Sequence, residues 1–170
     1  MASKIKVDQI QTADGTGTIA LQNQLSGLTS ASMPTGSVLQ VVSANTSSVV
    51  NIATTTFTDT GITATITPSA TSSKILVMAT VAVNHANNEG IGIKLLRGST
   101  QLFSTGNQYG FLYADSVGDS YVRGTINELD SPSTTSATTY KIQAGAYAGN
   151  QIAINGANSR SEILLMEIAG

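Results

Sequence analysis

The sequence predicts an all-β protein folded as an antiparallel β-sandwich. Composition is the first reason, because only 11% of the 170 residues are charged and 16 are Gly, while most polar side chains are Thr, Ser, Asn or Gln. Thr with Val and Ile favours pleated strands, and Gly with Asn and Ser favours turns. The second reason is spacing: after residue 36, short apolar runs recur about every ten residues, as in sandwiches and barrels.

The predicted strands follow one another along residues 36–170. The first (37–43) is apolar on both faces, and the second (61–68) alternates cleanly. The longest run (73–85) is strongly apolar on one face and partly apolar on the other, so it is expected to pack on two surfaces, and a neighbouring subunit is a candidate for the second. A hairpin at 90–104, strands at 120–132 and 138–149, and a final strand pair around Asn155-Gly156 follow. About eight or nine antiparallel strands in this length is the size of a jelly roll.

Residues 1–35 are predicted to be an extended, β-like segment ahead of the β domain at 36–170. The segment has few sizeable aliphatic residues, so it cannot bury enough apolar surface alone. We expect it to pack on sister chains or on a larger assembly, where each fully buried aliphatic side chain is worth roughly 1.5–3 kcal/mol. The residues assigned to these attachment or oligomer contacts are Ile5, Val7, Ile10, Ile19 and Leu21.

Charge and hydropathy argue against two classes of partner. The formal net charge is −2 and no basic cluster occurs, which disfavours nucleic-acid binding. No apolar run approaches the ~20 residues of a membrane span, and Lys4 and Lys6 are not followed by the apolar run of a secretory signal. The chain has no Cys, which removes disulfides and thiol chemistry. We therefore expect neither nucleic acid nor membrane as a partner.

Residues for catalysis or metal binding are sparse. The single His85 lies in a polar loop between two predicted strands, and a structural or solvent-exposed role is favoured over a catalytic one. Glu89, Asp115 and Asp119 are an alternative calcium set but lack the dense acidic spacing of a dedicated loop. No clustered carboxylate pair suits a polysaccharide hydrolase. The prediction is a non-enzyme with no catalytic residue, metal or cofactor.

Aromatic residues concentrate between Gly106 and Gly124. Tyr109, Tyr113 and Tyr121 are flanked by Asn, Gln and Asp, a combination that sugar-binding surfaces use, and they are the candidate ligand-binding residues. The alternative is that these rings belong to the core or to a subunit interface, where amphipathic aromatics are common. Both interpretations remain open from the sequence.

Six stretches carry a resemblance to a known class of proteins. They resemble small structural proteins and tail-fibre C-terminal domains of bacteriophages, especially marine ones, and the similarity covers nearly the whole chain. The stretches shape turns and strands and carry no catalytic chemistry: SKIKVDQIQTADGTGTI, PTGSVLQVVS, ITPSATSSKILV, LLRGST, LDSPSTTSATTYK and MEIAG.

The resemblance implies a virion component, a homotrimeric fibre or decoration protein whose jelly roll is akin to tumour-necrosis-factor-like trimers. In such trimers the first and last core strands lie side by side in the sheet that lines the trimer axis, which here would pair Val38–Val42 with Ile163–Ile168. The implied partners are sister chains and other capsid or tail proteins, with residues 1–35 as the attachment segment. The alternative function is a receptor-binding module that recognises a host surface glycan.

Overall fold

The computed structural model of the chain describes residues 33–85, 89–114 and 120–170. The predicted attachment residues Ile5, Val7, Ile10, Ile19 and Leu21 lie outside the described residues, as do Asp115 and Asp119. The described residues form these strands: β1 (Val38–Thr46), β2 (Val50–Ile52), β3 (Thr58–Ile66), β4 (Lys74–His85), β5 (Glu89–Arg97), β6 (Thr100–Ser104), β7 (Leu112–Ala114), β8 (Ser120–Asp130), β9 (Thr138–Ala146), β10 (Ile152–Ile154) and β11 (Ser161–Ile168).

These strands make two antiparallel sheets packed face to face, so the predicted all-β sandwich is confirmed. The six-stranded sheet has the order β1-β11-β4-β10-β2, with β8 on the other edge of β4. The five-stranded sheet has the order β3-β9-β5-β6, with β7 paired to β5. Eight of the strands described above have five or more residues. Numbered one to eight along the chain, they lie in the order 1-8-3-6 in the first sheet (β1, β11, β4, β8) and 2-7-4-5 in the second (β3, β9, β5, β6). This order is compatible with the predicted jelly roll.

The core lies between the sheets, where the alternation of the sequence places it. Ile62 and Ile66 of β3, Ile75 and Val77 of β4, and Ile142 of β9 are all at most 2% exposed. Side chains at alternate positions of a strand share a face, so each strand contributes one apolar face to this core. The hairpin predicted at 90–104 is also confirmed, with β5 and β6 joined at Gly98 and Ser99.

The final strand pair predicted around Asn155-Gly156 is wrong. β10 and β11 do not pair with each other; both pair antiparallel to β4, β10 at 83–85 and β11 at 74–80. They lie end to end along the same edge of β4 and run in the same direction, separated by residues 155–160. The gap opposite Ala82 is closed because Asn155 donates its backbone N–H to the Ala82 carbonyl (3.0 Å), while the Ala82 N–H donates to Ser161 Oγ (2.9 Å).

Two clusters of buried polar residues connect several of the stretches that carry the resemblance to phage structural proteins. In the Asp130 cluster, buried Asp130 accepts from the hydroxyl of fully buried Tyr140 (2.7 Å) and from Arg97 (2.8 Å to each carboxylate oxygen). Asp130 and Tyr140 come from the stretch LDSPSTTSATTYK, and Arg97 comes from LLRGST. Buried carboxylates are tolerated when they are paired and hydrogen-bonded, so both ends of one stretch and a second stretch meet in one structural contact.

The Glu167 cluster joins three more stretches. Fully buried Glu167 accepts at Oε1 from the backbone N–H of Ser69 (2.6 Å), the hydroxyl of Ser69 (2.6 Å) and the hydroxyl of Ser73 (2.7 Å), and at Oε2 from Gln40 (2.5 Å). The stretches ITPSATSSK, MEIAG and VLQVVS are thereby tied together, which fixes the loop that leads into β4.

Candidate functional site

The six-stranded sheet exposes a surface, here called the outer face, formed by three rows of cross-strand neighbours on β1, β11, β4 and β8. Residues directly opposite each other in a sheet share a face, so the strand registers define the rows. The first row is Val41, Met166, Leu76 and Leu129; the second is Ser43, Leu164, Met78 and Asn127; the third is Asn45, Glu162, Thr80 and Thr125.

The outer face changes from apolar to polar along the strands. All four residues of the first row are apolar, the second row has an apolar centre, and the third row is entirely polar. Val41 is 54% exposed, Leu129 53% and Met78 39%. Four strands ~4.8 Å apart and three rows ~6.8 Å apart give this face roughly 400 Å² in projection, and about half of its positions are apolar. A contiguous exposed apolar patch bordered by polar residues is a candidate interaction site.

Two open depressions lie on the same side of this sheet. One, of about 260 Å³, separates the second and third rows between Met78, Thr125 and Glu162. The other, of about 480 Å³, lies beyond the third row and is lined partly by Tyr121, Arg123 and Ser159. The outer face is therefore concave at its polar end.

Three tyrosines form a second exposed cluster, the tyrosine cluster, made of Tyr109, Tyr113 and Tyr147. Their ring centroids are 5.0 Å apart for Tyr109 and Tyr147, 5.7 Å for Tyr113 and Tyr147, and 6.4 Å for Tyr109 and Tyr113, with interplanar angles of 75–88°. Each residue is 43–49% exposed. Edge-to-face pairs at these distances are favourable, so the rings support one another while remaining open to a ligand.

The cluster forms because Gly90 has no side chain. Tyr113 on β7 lies directly opposite Gly90 on β5, and the Tyr147 N–H donates to the Gly90 carbonyl from the other side (3.0 Å). A Cβ on Gly90 would lie 2.8 Å from the Cβ of Tyr109. The three rings thus converge over one bare backbone position.

Buried polar groups hold the segments that carry these rings. Fully buried Glu89 accepts from the backbone N–H of Ala148 (2.8 Å) and of Asn150 (2.9 Å), which fixes the chain after Tyr147. In the loop before β7, the Thr105 hydroxyl donates to the Asn107 carbonyl (2.8 Å). The cluster is consequently pre-formed.

The structure brings together two of the three sequence-predicted ligand residues and separates the third. Tyr109 and Tyr113 are neighbours, whereas Tyr121, 61% exposed, lies on β8 of the other sheet opposite Asn84. Sequence reasoning missed Tyr147. The sequence could have indicated it. Residues 140, 142, 144 and 146 of β9 are buried, and side chains alternate between the two faces of a strand, so Tyr147 is expected on the opposite, exposed face.

His85 and Glu89, the described candidates for catalysis or metal binding, are both buried within the fold. His85 is 1% exposed at the end of β4, so the solvent-exposed alternative is wrong, and Glu89 accepts backbone N–H groups as described above. Within residues 33–85, 89–114 and 120–170, no group of three His, Cys, Asp or Glu residues is placed to hold a metal ion. No helix in the same ranges is long and apolar enough to cross a membrane.

The perturbed pKa values belong to the structural contacts. Burial raises the pKa of Tyr140 far above its usual value, and the hydrogen bond to Asp130 adds to this, so the hydroxyl stays a donor. Burial also raises the pKa of Glu167, but the hydrogen bonds from Ser69, Ser73 and Gln40 together outweigh it and hold that pKa below its usual value. The pKa shifts of Tyr140 and Glu167 therefore arise from the Asp130 and Glu167 clusters that stabilise the fold.

Comparisons with known proteins yield a weak structural likeness. No family model and no curated protein matches the chain. Dimeric latent PorU from Porphyromonas gingivalis aligns with a TM-score of 0.39 and 9% identity over 80% of this chain and 14% of PorU. The VP2 subviral particle of infectious bursal disease virus aligns with a TM-score of 0.35 and 10% identity over 79% of this chain and 38% of VP2. At these TM-scores the likeness says nothing about function.

Proposed function

We propose that the chain is a structural protein of a bacteriophage particle, a fibre or decoration protein that assembles into a homotrimer through the outer face. The observation that carries the proposal is the wholly apolar row Val41, Met166, Leu76 and Leu129, two of whose members are more than half exposed. The resemblance of six stretches along the chain to phage structural proteins supplies the context.

A second copy of the chain is the occupant that suits the outer face. Its first two rows contain no charged side chain, so identical faces can approach without like-charge repulsion. The resemblance implies that the sheet joining the first and last core strands lines the trimer axis. β1 and β11 are paired in this sheet, with Val41 opposite Met166 and Val42 opposite Leu165. Burying the roughly 200 Å² of apolar surface in the first two rows provides on the order of 5 kcal/mol of gross stabilisation per chain.

The native molar mass tests the assembly. Light scattering should give about 52 kDa, three chains of 17.4 kDa. Val41→Glu should lower the mass to that of one chain, because a carboxylate would be buried at the contact. The matched control is Thr65→Glu, an exposed strand position on the five-stranded sheet, which should leave the mass at about 52 kDa. A monomeric wild-type chain would contradict the proposal.

The role of residues 1–35 is tested separately. We propose that this segment attaches the trimer to the particle, because its sparse aliphatic residues need an external surface to be buried. Deleting residues 2–33 should leave a folded trimer that no longer binds particles in a co-sedimentation assay. If the shortened chain still decorates particles fully, the attachment role is wrong while the trimer proposal stands.

A further inference from the structure

We propose that the tyrosine cluster is a binding site for a neutral sugar residue of a surface polysaccharide. Among the described residues, Tyr109, Tyr113 and Tyr147 line an open depression of about 230 Å³, a size that suits one monosaccharide. Pockets for small ligands are typically apolar with a few polar groups that fix orientation, and here the ring surfaces and the phenolic hydroxyls supply both.

The exposed area of the cluster favours a small ligand over a protein. With 43–49% of each tyrosine exposed and ~200 Å² per residue, the cluster offers roughly 300 Å². A standard protein interface buries about 800 Å² on each partner, nearly three times the area of this cluster. The cluster by itself is therefore too small to hold a second copy of the chain, and a ligand of one or two rings matches it.

The charge around the cluster favours a neutral ligand over a cation. The depression is lined by no charged side chain among the described residues. The nearby Glu89 carboxylate already accepts three backbone N–H groups, from Gly90, Ala148 and Asn150, with its two oxygens. A quaternary ammonium is held between several ring faces at once, whereas these rings are in direct edge-to-face contact, with centroids 5.0–6.4 Å apart, and leave no space between them for such a group. What stays exposed suits the C–H face and hydroxyl edge of a pyranose.

The site is pre-organised and independent of the assembly. Gly90 leaves the space into which the rings converge, and Glu89 and Asn107 fix the two segments that carry them. Little side-chain ordering then remains for a ligand to impose, which favours binding. β7, β5 and β9 belong to the five-stranded sheet, so a trimer formed through the outer face of the other sheet leaves the cluster open.

Saturation-transfer NMR on the full chain tests the site. The probes are methyl glycosides of glucose, galactose, mannose and N-acetylglucosamine, with choline chloride as the cationic probe. We expect transfer to the C–H face of at least one glycoside. Tyr147→Ala and Tyr109→Ala should each weaken that binding roughly tenfold, the equivalent of one aromatic contact. Tyr121→Ala, which removes a more exposed ring outside the cluster, should leave it unchanged.

Three outcomes would overturn the proposal: no transfer to any glycoside, transfer to choline alone, or equal loss with Tyr121→Ala. Gly90→Ala provides a variant that keeps all three rings but displaces Tyr109, so it should also weaken binding. Because each tyrosine of the cluster is nearly half exposed, the alanine variants should keep the melting temperature close to that of the wild type, which separates loss of binding from loss of folding.

Discussion

Replacing Glu167 by Gln should destabilise the chain and flatten its response to acid. The carboxylate accepts four hydrogen bonds, three of them at one oxygen from Ser69 and Ser73. Glutamine keeps one acceptor oxygen for those three but loses their charge assistance, and its NH₂ group would face the NH₂ of Gln40. Hydrogen bonds to charged groups are worth about twice neutral ones, and a buried unsatisfied donor costs about 1–3 kcal/mol, so we expect a loss of roughly 3 kcal/mol.

The pH dependence follows from the direction of the shift. The pKa of Glu167 in the folded chain is held below its usual value, since its hydrogen bonds outweigh burial. A group with a depressed folded pKa stabilises the fold fully above its unfolded pKa, about 4.3, and this contribution is lost as the pH falls through the folded pKa. The wild type should therefore lose stability below about pH 4.3, and Glu167→Gln should lose less.

Urea unfolding at pH 7 and at pH 3, at one fixed protein concentration, measures both effects. Asp59→Asn is the matched control, because hydrogen bonds from Gln143 and Lys141 also lower the pKa of Asp59, yet its side chain is 59% exposed. Exposed ion pairs contribute little, so this variant should change the free energy of unfolding by less than about 1 kcal/mol. If Glu167→Gln were as stable as the wild type at pH 7, or equally acid-sensitive, the account of this cluster would be refuted.

Two further variants probe other contacts. Tyr140→Phe removes the hydroxyl that donates to buried Asp130 (2.7 Å) and should lower the free energy of unfolding by about 1.5–3 kcal/mol; an unchanged urea midpoint would contradict the role of that bond. Gly92→Ala would place a Cβ against the Asn107 carbonyl oxygen, so it should displace the loop before β7 and shift the amide NMR signals of that loop, while an unperturbed loop would show that the contact is not tight.

The sequence predicts the fold well where one face of a strand is strongly apolar. The alternation along β4 anticipates that Val77 and Val81 are buried and that Met78 faces outward, because the side-chain period of a strand is two. The Asn155-Gly156 pair misleads, since such a pair usually marks a hairpin. Here the Asn155 side chain accepts from Ser161 Oγ (2.6 Å) and the chain resumes its former direction, a tertiary contact that local sequence does not reveal.

The tyrosine cluster is only half predictable for a similar reason. Tyr109 and Tyr113 are close in the chain, so their proximity can be inferred from sequence alone. Tyr147 joins them only because β9 pairs with β5 and because Gly90 leaves room. Tyr121 is also close in sequence, but β8 pairs with β4 and carries it to the other sheet. Strand pairing, which single-sequence patterns do not specify, decides which rings meet.

Thiol protection at the outer face is the most direct test that copies of the chain meet there. The chain has no Cys, so Val41→Cys and Thr65→Cys each report on one position of an otherwise unreactive protein. Val41 is 54% exposed in the single chain, and Thr65 is exposed on the other sheet. The account predicts that maleimide labels Val41→Cys far more slowly than Thr65→Cys under conditions where light scattering shows the trimer. Equal labelling rates in the native assembly would contradict it.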